Sequence, residues 1–259
     1  MQVKTLLNQV LKHKGFIYEK VSMEKGKKGA PPERITVHLR PRKNGQALCS
    51  GCEKAGGVYD HLEERSFAFV PLWGIPVVLL YAMRRVACDD CGIRVEKVPW
   101  AVGKSRLTIA FACYLAEWAR DMSWSKVATR FKTTWYHVYE AVAHVVRYGK
   151  EHRVLKGIRA LGIDEIAWSK GHNYLTLVYQ IDGGCRRLLW IGRDRTEQTL
   201  VGFFEWFKES RSKGLRYICS DMWQPYLKVI DFGSIVRSVG RESSWMDGVG
   251  VCDEPASNP

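Results

Sequence analysis

Two sets of residues in this sequence have the types and spacing to do chemistry. The first is a pair of aspartates, Asp164 and Asp221, each closing a short apolar run: Ala160-Leu161-Gly162-Ile163-Asp164 and Tyr217-Ile218-Cys219-Ser220-Asp221. Carboxylates held close together repel unless a cation neutralises them, and a hard ion such as Mg²⁺ takes oxygen ligands. Two aspartates that only cap turns at strand ends account for the same pattern equally well. The second set is four cysteines in two knuckles, Cys49-Ser50-Gly51-Cys52 and Cys88-Asp89-Asp90-Cys91. Paired C-x-x-C knuckles suit a tetrahedral thiolate site for a structural Zn²⁺, each supplying two ligands to one ion. Reduced, unliganded thiols are the alternative.

The aspartates need a sheet to bring them together. Tyr174 to Asp182 alternates and is β-branched, Gly183-Gly184 turns the chain, and Arg187 to Gly192 reads as a further strand. Thr196 to Glu209 has helical spacing and leads to Tyr217. The order is strand, strand, strand, helix, strand. A crossover through a helix makes the last strand parallel to one already in the sheet. If that neighbour is the first strand, Asp164 and Asp221 sit at equivalent ends, about 4.8 Å apart. Strand alternation turns Glu165 to the opposite face, so it is not counted as a ligand. Asp182 and Asp194 fall at turns and read as local caps.

The cysteines need a different device, because 35 residues separate the knuckles. Val58 to His61, Arg65 to Phe69 and Val77 to Tyr81 read as strands with Gly74 as a turn, so a β-excursion can return the chain to close the site. His61 is an alternative ligand, or simply a residue between strands. Cys113, Cys185, Cys219 and Cys252 have no partner spacing and read as packing thiols.

Between these sets the chain is helical. Leu107, Ala110, Phe111, Tyr114, Leu115 and Trp118 mark one apolar face. A second helix follows Ser123, and after a break at Lys132-Thr133-Thr134 a third carries Val138, Ala141, Val142 and Val145. Two helices around a tight break match a helix-turn-helix unit, with a plain three-helix packing unit as the alternative. In the first reading Trp135, Tyr136, His137 and Glu140 face base edges in the major groove, and Lys126, Arg130 and Lys132 face phosphate. Charge agrees with a polyanion partner. The chain has 40 Lys/Arg and 27 Asp/Glu, net +13, but residues 161–259 hold 12 against 13, so the whole excess lies before them. Further basic clusters stand at Lys25 to Lys28, Arg40 to Lys43 and Arg84-Arg85. Met1 to Lys14 lacks a signal-peptide core, and the apolar run Phe67 to Met83 is short and contains Pro71 and Pro76. A cytoplasmic protein with no membrane partner is expected, in which disulfides are disfavoured.

Gly162-Ile163-Asp164-Glu165, Lys170-Gly171-His172-x-Tyr174, Gly192-Arg193-Asp194-Arg195 and Ser220-Asp221-Met222-Trp223-x-Pro225-Tyr226 together resemble bacterial insertion-sequence transposases of the ISL-three family. The resemblance runs from about residue 35 to residue 230. It implies a ribonuclease H-like catalytic domain using an Asp-Asp-Glu triad and two metal ions, Mg²⁺ or Mn²⁺. Asp164 and Asp221 would be its first two acids. It also implies a helix-turn-helix unit, and double-stranded DNA as partner, both the terminal repeats of the element and target DNA, with room for a homodimer on DNA. Lys170, His172, Arg193 and Arg195, near turns, would hold the DNA backbone by the ions. Family members continue past the second acid with a helical insertion and a glutamate. Here the resemblance stops near Ile230, and Asp231 to Pro259 reads as a truncated or frameshifted tail, disordered, with impaired strand transfer.

The fold class expected is α+β and multidomain. Its parts are an N-terminal helix and loop (1–34), a zinc-ribbon-like β module (35–102), a helix-turn-helix unit (103–150), a partial ribonuclease H-like domain (151–230) and the tail (231–259). The function expected is a DNA transposase or a remnant of one. A catalytically dead DNA-binding inhibitor of transposition and a ribonuclease H-like nuclease are the alternatives.

Overall fold

In a computed structural model, the structure describes residues 3–24, 26, 32–171, 173–220 and 224–232. Two of the sequence expectations, on Asp221 and His172, lie outside the described residues, as do most of the Lys25 to Lys28 cluster and the tail from residue 233. The protein is mixed α/β and divides into two compact units, residues 1–153 and 154–259. No helix among the described residues is long and apolar enough to cross a membrane.

The first unit opens with α1 (Val3–Val10) and a six-stranded mixed sheet: β1 (Phe16–Glu24), β2 (Arg34–Pro41), β3 (Ala47–Leu48), β4 (Ala55–Leu72), β5 (Ile75–Cys88) and β6 (Gly92–Val95). Segment 1–34, expected as helix and loop, thus also contains a strand. Phe16 and Tyr18 are buried while Glu19 and Lys20 are exposed, and a bulge between Tyr18 and Lys20 blurs the period-2 signal that would have marked β1. The β4–β5 pair is one long antiparallel hairpin closed at Trp73 (φ 53°) and Gly74 (φ 77°). Positive φ at both central residues gives the turn the twist its strands require. Register shifts along the hairpin explain why β4 looks like two strands in sequence.

One face of this sheet packs Phe16, Ile35, Val37, Phe67, Leu79 and Tyr81 around Trp100. Three rings meet the Trp100 indole edge-on, with centroids 4.8 to 6.0 Å away. Near that core lies a buried ion pair. Arg84 Nη2 and Nε donate to Glu96 Oε2 at 2.7 and 2.9 Å, while the Arg84 backbone and the Tyr81 hydroxyl each donate to Oε1 at 2.7 Å. Arg84, read in sequence as part of a surface basic cluster, is therefore committed internally, and its neighbour Arg85 is paired with Asp60. Glu96→Ala should cost about 3–5 kcal/mol in a urea titration, because it strands a buried guanidinium. The double replacement Arg84→Met/Glu96→Leu should recover most of that loss.

Helices α2 (Ile109–Asp121), α3 (Trp124–Arg130) and α4 (Trp135–His152) complete the unit. Thr108 and Thr134 cap α2 and α4 by accepting the N–H of Phe111 and His137. Their shared core of Phe111, Leu115, Val127, Val138 and Ala141 extends onto Ala68 and Val70 of β4 through Leu107.

The second unit is a four-stranded sheet in the order β10-β7-β8-β9, formed by β7 (Ala160–Ser169), β8 (Asn173–Asp182), β9 (Cys185–Arg193) and β10 (Tyr217–Ser220). Helices α5 (Glu197–Phe207) and α6 (Glu209–Ser212) make the crossover to β10, and α7 (Gln224–Phe232) follows it. β10 runs parallel to β7, and the other pairs are antiparallel. Leu161, Ile163 and Val178 pack on Leu200, Phe203, Phe207, Tyr226 and Ile230. The other face, which carries Gly162 and Asp164, leaves Ile166 43 % and Ile191 52 % exposed.

Candidate metal centres and nucleic-acid surface

The long hairpin carries the chain out from Cys52 and back to Cys88. All four Sγ atoms of Cys49, Cys52, Cys88 and Cys91 end within 4.8 Å of one another, with Cys52 and Cys88 sulfurs 3.4 Å apart. A tetrahedron of Zn–S bonds of about 2.3 Å has edges of about 3.8 Å, so the donor set fits one such ion. The first knuckle is held by local bonds: the Glu53 N–H to Cys49 O, Cys49 N–H to Lys54 O, and Ser50 N–H to Val95 O. That last bond, with a bridge between Cys49 and Glu96, ties the knuckle to β6 and the following segment. Gly51 donates its N–H to Cys49 Sγ, and a Cβ there would stand 3.1 Å from Cys91 Sγ. Backbone N–H groups of Cys52 and Gly51 bring the Cys49 thiol down to about 7, which favours the thiolate that a metal needs. The neighbouring Cys52 and burial push Cys91 up to about 12 in the metal-free set. His61 is exposed on β4 and is not one of this group. Among the described residues no second group of three His, Cys, Asp or Glu ligands occurs.

In the second unit, register brings the first acid to the edge of the described chain. Ser220, the last residue of β10, pairs with Ile163 of β7. One position further along β7 is Asp164, which is exposed and accepts the N–H of Glu165 at 2.7 Å. One position further along the chain from Ser220 is Asp221, outside the described residues. Beneath Asp164, on the helix-covered face, lies a polar network that sequence reading missed. Glu165, 14 % exposed, pairs with Arg195 at 3.0 Å, and Arg195 lies over the Tyr174 ring. Thr176 is fully buried, donates to Asp194 O at 2.7 Å and shares a 2.8 Å hydrogen bond with the Tyr226 hydroxyl. Burial pushes that hydroxyl up to about 12, so it stays protonated. Tyr226 thereby pins α7, and with it the chain just after residue 223, to β8. Tyr226→Phe should cost about 1 kcal/mol in the unfolding of this unit. Thr176 and Tyr226 are alternating and motif residues respectively, but nothing in their spacing announces that they meet. Arg195, expected at the DNA backbone, is engaged by Glu165, whereas Arg193 and Lys170 are exposed. Asp182, expected as a local turn cap, instead accepts the N–H of Arg159, 23 positions away and just before β7, along with the Gln180 amide, and so ties β8 to the start of β7.

The residues expected to face DNA in the first unit lie on the surface. Lys126, Arg130 and Lys132 are exposed around α3 and its turn. At the start of α4, Trp135 is 51 % and Tyr136 59 % exposed. Trp135 stacks on Tyr139, with both rings against Trp124 of α3. His137 is only partly exposed, its Nδ1 being 3.0 Å from the Thr133 hydroxyl.

Comparison with known proteins bears on this arrangement. Residues 161–233 match the family DDE_Tnp_ISL3, described as "Transposase". The chain is 28 % identical over 200 residues to the transposase for insertion sequence element IS1001 of Bordetella parapertussis, covering 76 % of this chain and 48 % of that protein. It is 31 % identical over 195 residues to the transposase for insertion sequence element IS1557 of Mycobacterium tuberculosis (strain ATCC 25618 / H37Rv), covering 73 % and 42 %. The chain thus spans about half the length of the curated relatives it matches.

Proposed function

We propose, for a chain related to the ISL-three insertion-sequence transposases, that residues 1–153 bind duplex DNA and the second unit holds a metal-dependent strand-cleaving site. The observation that carries the reading is the parallel register of β10 on β7. It makes the next chain position after each paired residue an aspartate, Asp164 and Asp221, inside the segment that matches the family. In this reading the sheet is the front of a ribonuclease H-like domain. The two carboxylates hold Mg²⁺ or Mn²⁺, which when bound supplies an activated water and neutralises charge on the scissile phosphate. Asp164 is exposed and has no cationic partner among the described residues, which leaves its carboxylate available to a metal. The Glu165–Arg195 pair and the Thr176–Tyr226 bond act as supports that fix the ends of β7 and α7.

In the first unit, the two knuckles, whose thiolates hold Zn²⁺, form with strands β3 to β6 the zinc-ribbon-like part of the six-stranded sheet, and 103–150 form a helix-turn-helix unit with α4 as reading helix. The net positive charge of this half favours the phosphate backbone. The terminal repeats of an insertion sequence are the duplex proposed as partner. The test is a binding and nicking assay on terminal-repeat duplex, with Mg²⁺ or Mn²⁺ and with chelator. Metal-dependent nicking supports the reading. Tight binding without nicking at any metal concentration would leave a DNA-binding regulator of transposition. Cleavage of RNA–DNA hybrid in preference to duplex would point to a nuclease.

A further inference from the structure

A groove of about 650 Å³ lies between α4 and the loop that precedes α2. Its cationic lining comes from two separate parts of the chain, Lys104 and Arg106 on the loop and Arg147 on the helix. Lys104, Arg106 and Arg147 are all exposed. The loop is fixed: Arg65 of β4 donates to the carbonyls of Lys104 and Ser105, and Ala68 exchanges backbone bonds with Arg106 O and the Thr108 N–H. Burial, and after it the nearby Arg106, lower the Arg65 guanidinium, so positive charge is crowded here. The one acid lining the groove is Glu140, which bonds the Tyr136 hydroxyl and raises its proton affinity.

Helix geometry decides what this groove is for. At about 100° per residue, Val138 and Ala141 face the core, and Trp135 and Tyr139 face the α3 flank. Tyr136, Glu140 and Arg147 come round to the side opposite the core, and His144 to the flank opposite α3. α4 is therefore bordered by cations on both sides, Lys126, Arg130 and Lys132 on one and Lys104, Arg106 and Arg147 on the other. A major groove is about 12 Å wide and walled by two phosphate backbones, so a helix lying in it meets phosphates on both flanks. We infer that the 104–106 loop and Arg147 form a clamp for the sugar-phosphate backbone of the second DNA strand, opposite the strand met by α3. The inference rests on the duplex-binding reading above and adds a strand contact to it. Phosphate contacts of this kind position the helix and carry no base information, whereas Tyr136 and Glu140 between the two ridges face the base edges.

The test compares wild type, Lys104→Ala/Arg106→Ala/Arg147→Ala and a control of equal charge, Lys12→Ala/Lys14→Ala/Lys20→Ala, whose residues are exposed elsewhere on the same unit. Binding to terminal-repeat duplex and to unrelated duplex is measured across a salt series. The groove variant should flatten the slope of log affinity against log salt by about 3, one per lost phosphate contact, and weaken both duplexes by the same factor. The control should leave the slope within about 1 of wild type. Equal flattening by both variants, or an unchanged slope in the groove variant, overturns the clamp and leaves duplex binding standing. A loss confined to the terminal-repeat duplex also overturns it, since that would mean base contact. Wild type without salt-dependent duplex binding would sink the broader reading as well.

Discussion

Asp164→Asn should reduce metal-dependent nicking of terminal-repeat duplex by on the order of 10³-fold while leaving duplex affinity within about twofold. The substitution keeps the shape of an exposed side chain and its bond from the Glu165 N–H, so the fold has little reason to change. It removes one negative charge from the position where, in the proposed site, a divalent ion must be held against its hydration shell. Glu165→Gln is the informative neighbour. Its carboxylate lies on the opposite face, bound to Arg195, so its loss should loosen that pair and leave nicking within about tenfold. Nicking by Asp164→Asn at near wild-type rates would remove this residue from the chemistry. A larger loss from Glu165→Gln than from Asp164→Asn would show that the wrong face of β7 had been assigned. Titrating Mg²⁺ against rate separates weakened metal affinity, which excess ion rescues, from lost transition-state stabilisation, which it does not.

The second large effect concerns the thiolates. Purified protein should contain about one Zn²⁺ per chain, and Cys88→Ser should lower zinc affinity by 10²-fold or more on the order of what losing one of four ligands implies. The consequence for structure should be local. The Trp100 core lies under β1, β2 and the middle of the β4–β5 hairpin, and none of the four cysteines packs into it. Hydrogen exchange should therefore accelerate at residues 47–58 and 84–97, where the knuckles, β3 and β6 meet, with little change at Ile35 to Leu39. Full protection throughout in zinc-free protein would mean that the knuckles are held by their backbone bonds alone. Gly51→Val should fall between wild type and Cys88→Ser, since its Cβ would crowd the Cys91 sulfur.

Much of the architecture was legible because its signals are local. The Cys49/Cys52 and Cys88/Cys91 spacing marks two knuckles, the apolar stripe from Leu107 to Trp118 marks α2, and alternation from Tyr174 to Asp182 marks β8. The break at Lys132 to Thr134 gives the boundary of α4, and Gly74 gives the turn of the hairpin. Strand β1 was not legible, because a bulge shifts its period and half its residues are polar. The tight apposition of Tyr226 with Thr176, fifty positions apart in the chain, was invisible for another reason. A hydroxyl pair has no spacing of its own, and only the docking of α7 on the sheet creates it.

Arg84 and Arg106 show the division most clearly. In sequence both are arginines in basic surroundings, and composition treats them alike. The fold buries Arg84 against Glu96 and leaves Arg106 at the lip of a groove. The sequence alone determined which residue types were available, their periodicity and the sign of the charge on each half of the chain, since these depend only on neighbours along the backbone. Which cations are spent internally, which flank of α4 they border and which strand β10 joins were decided by tertiary packing. Those outcomes depend on desolvation and on contacts between residues far apart in the chain.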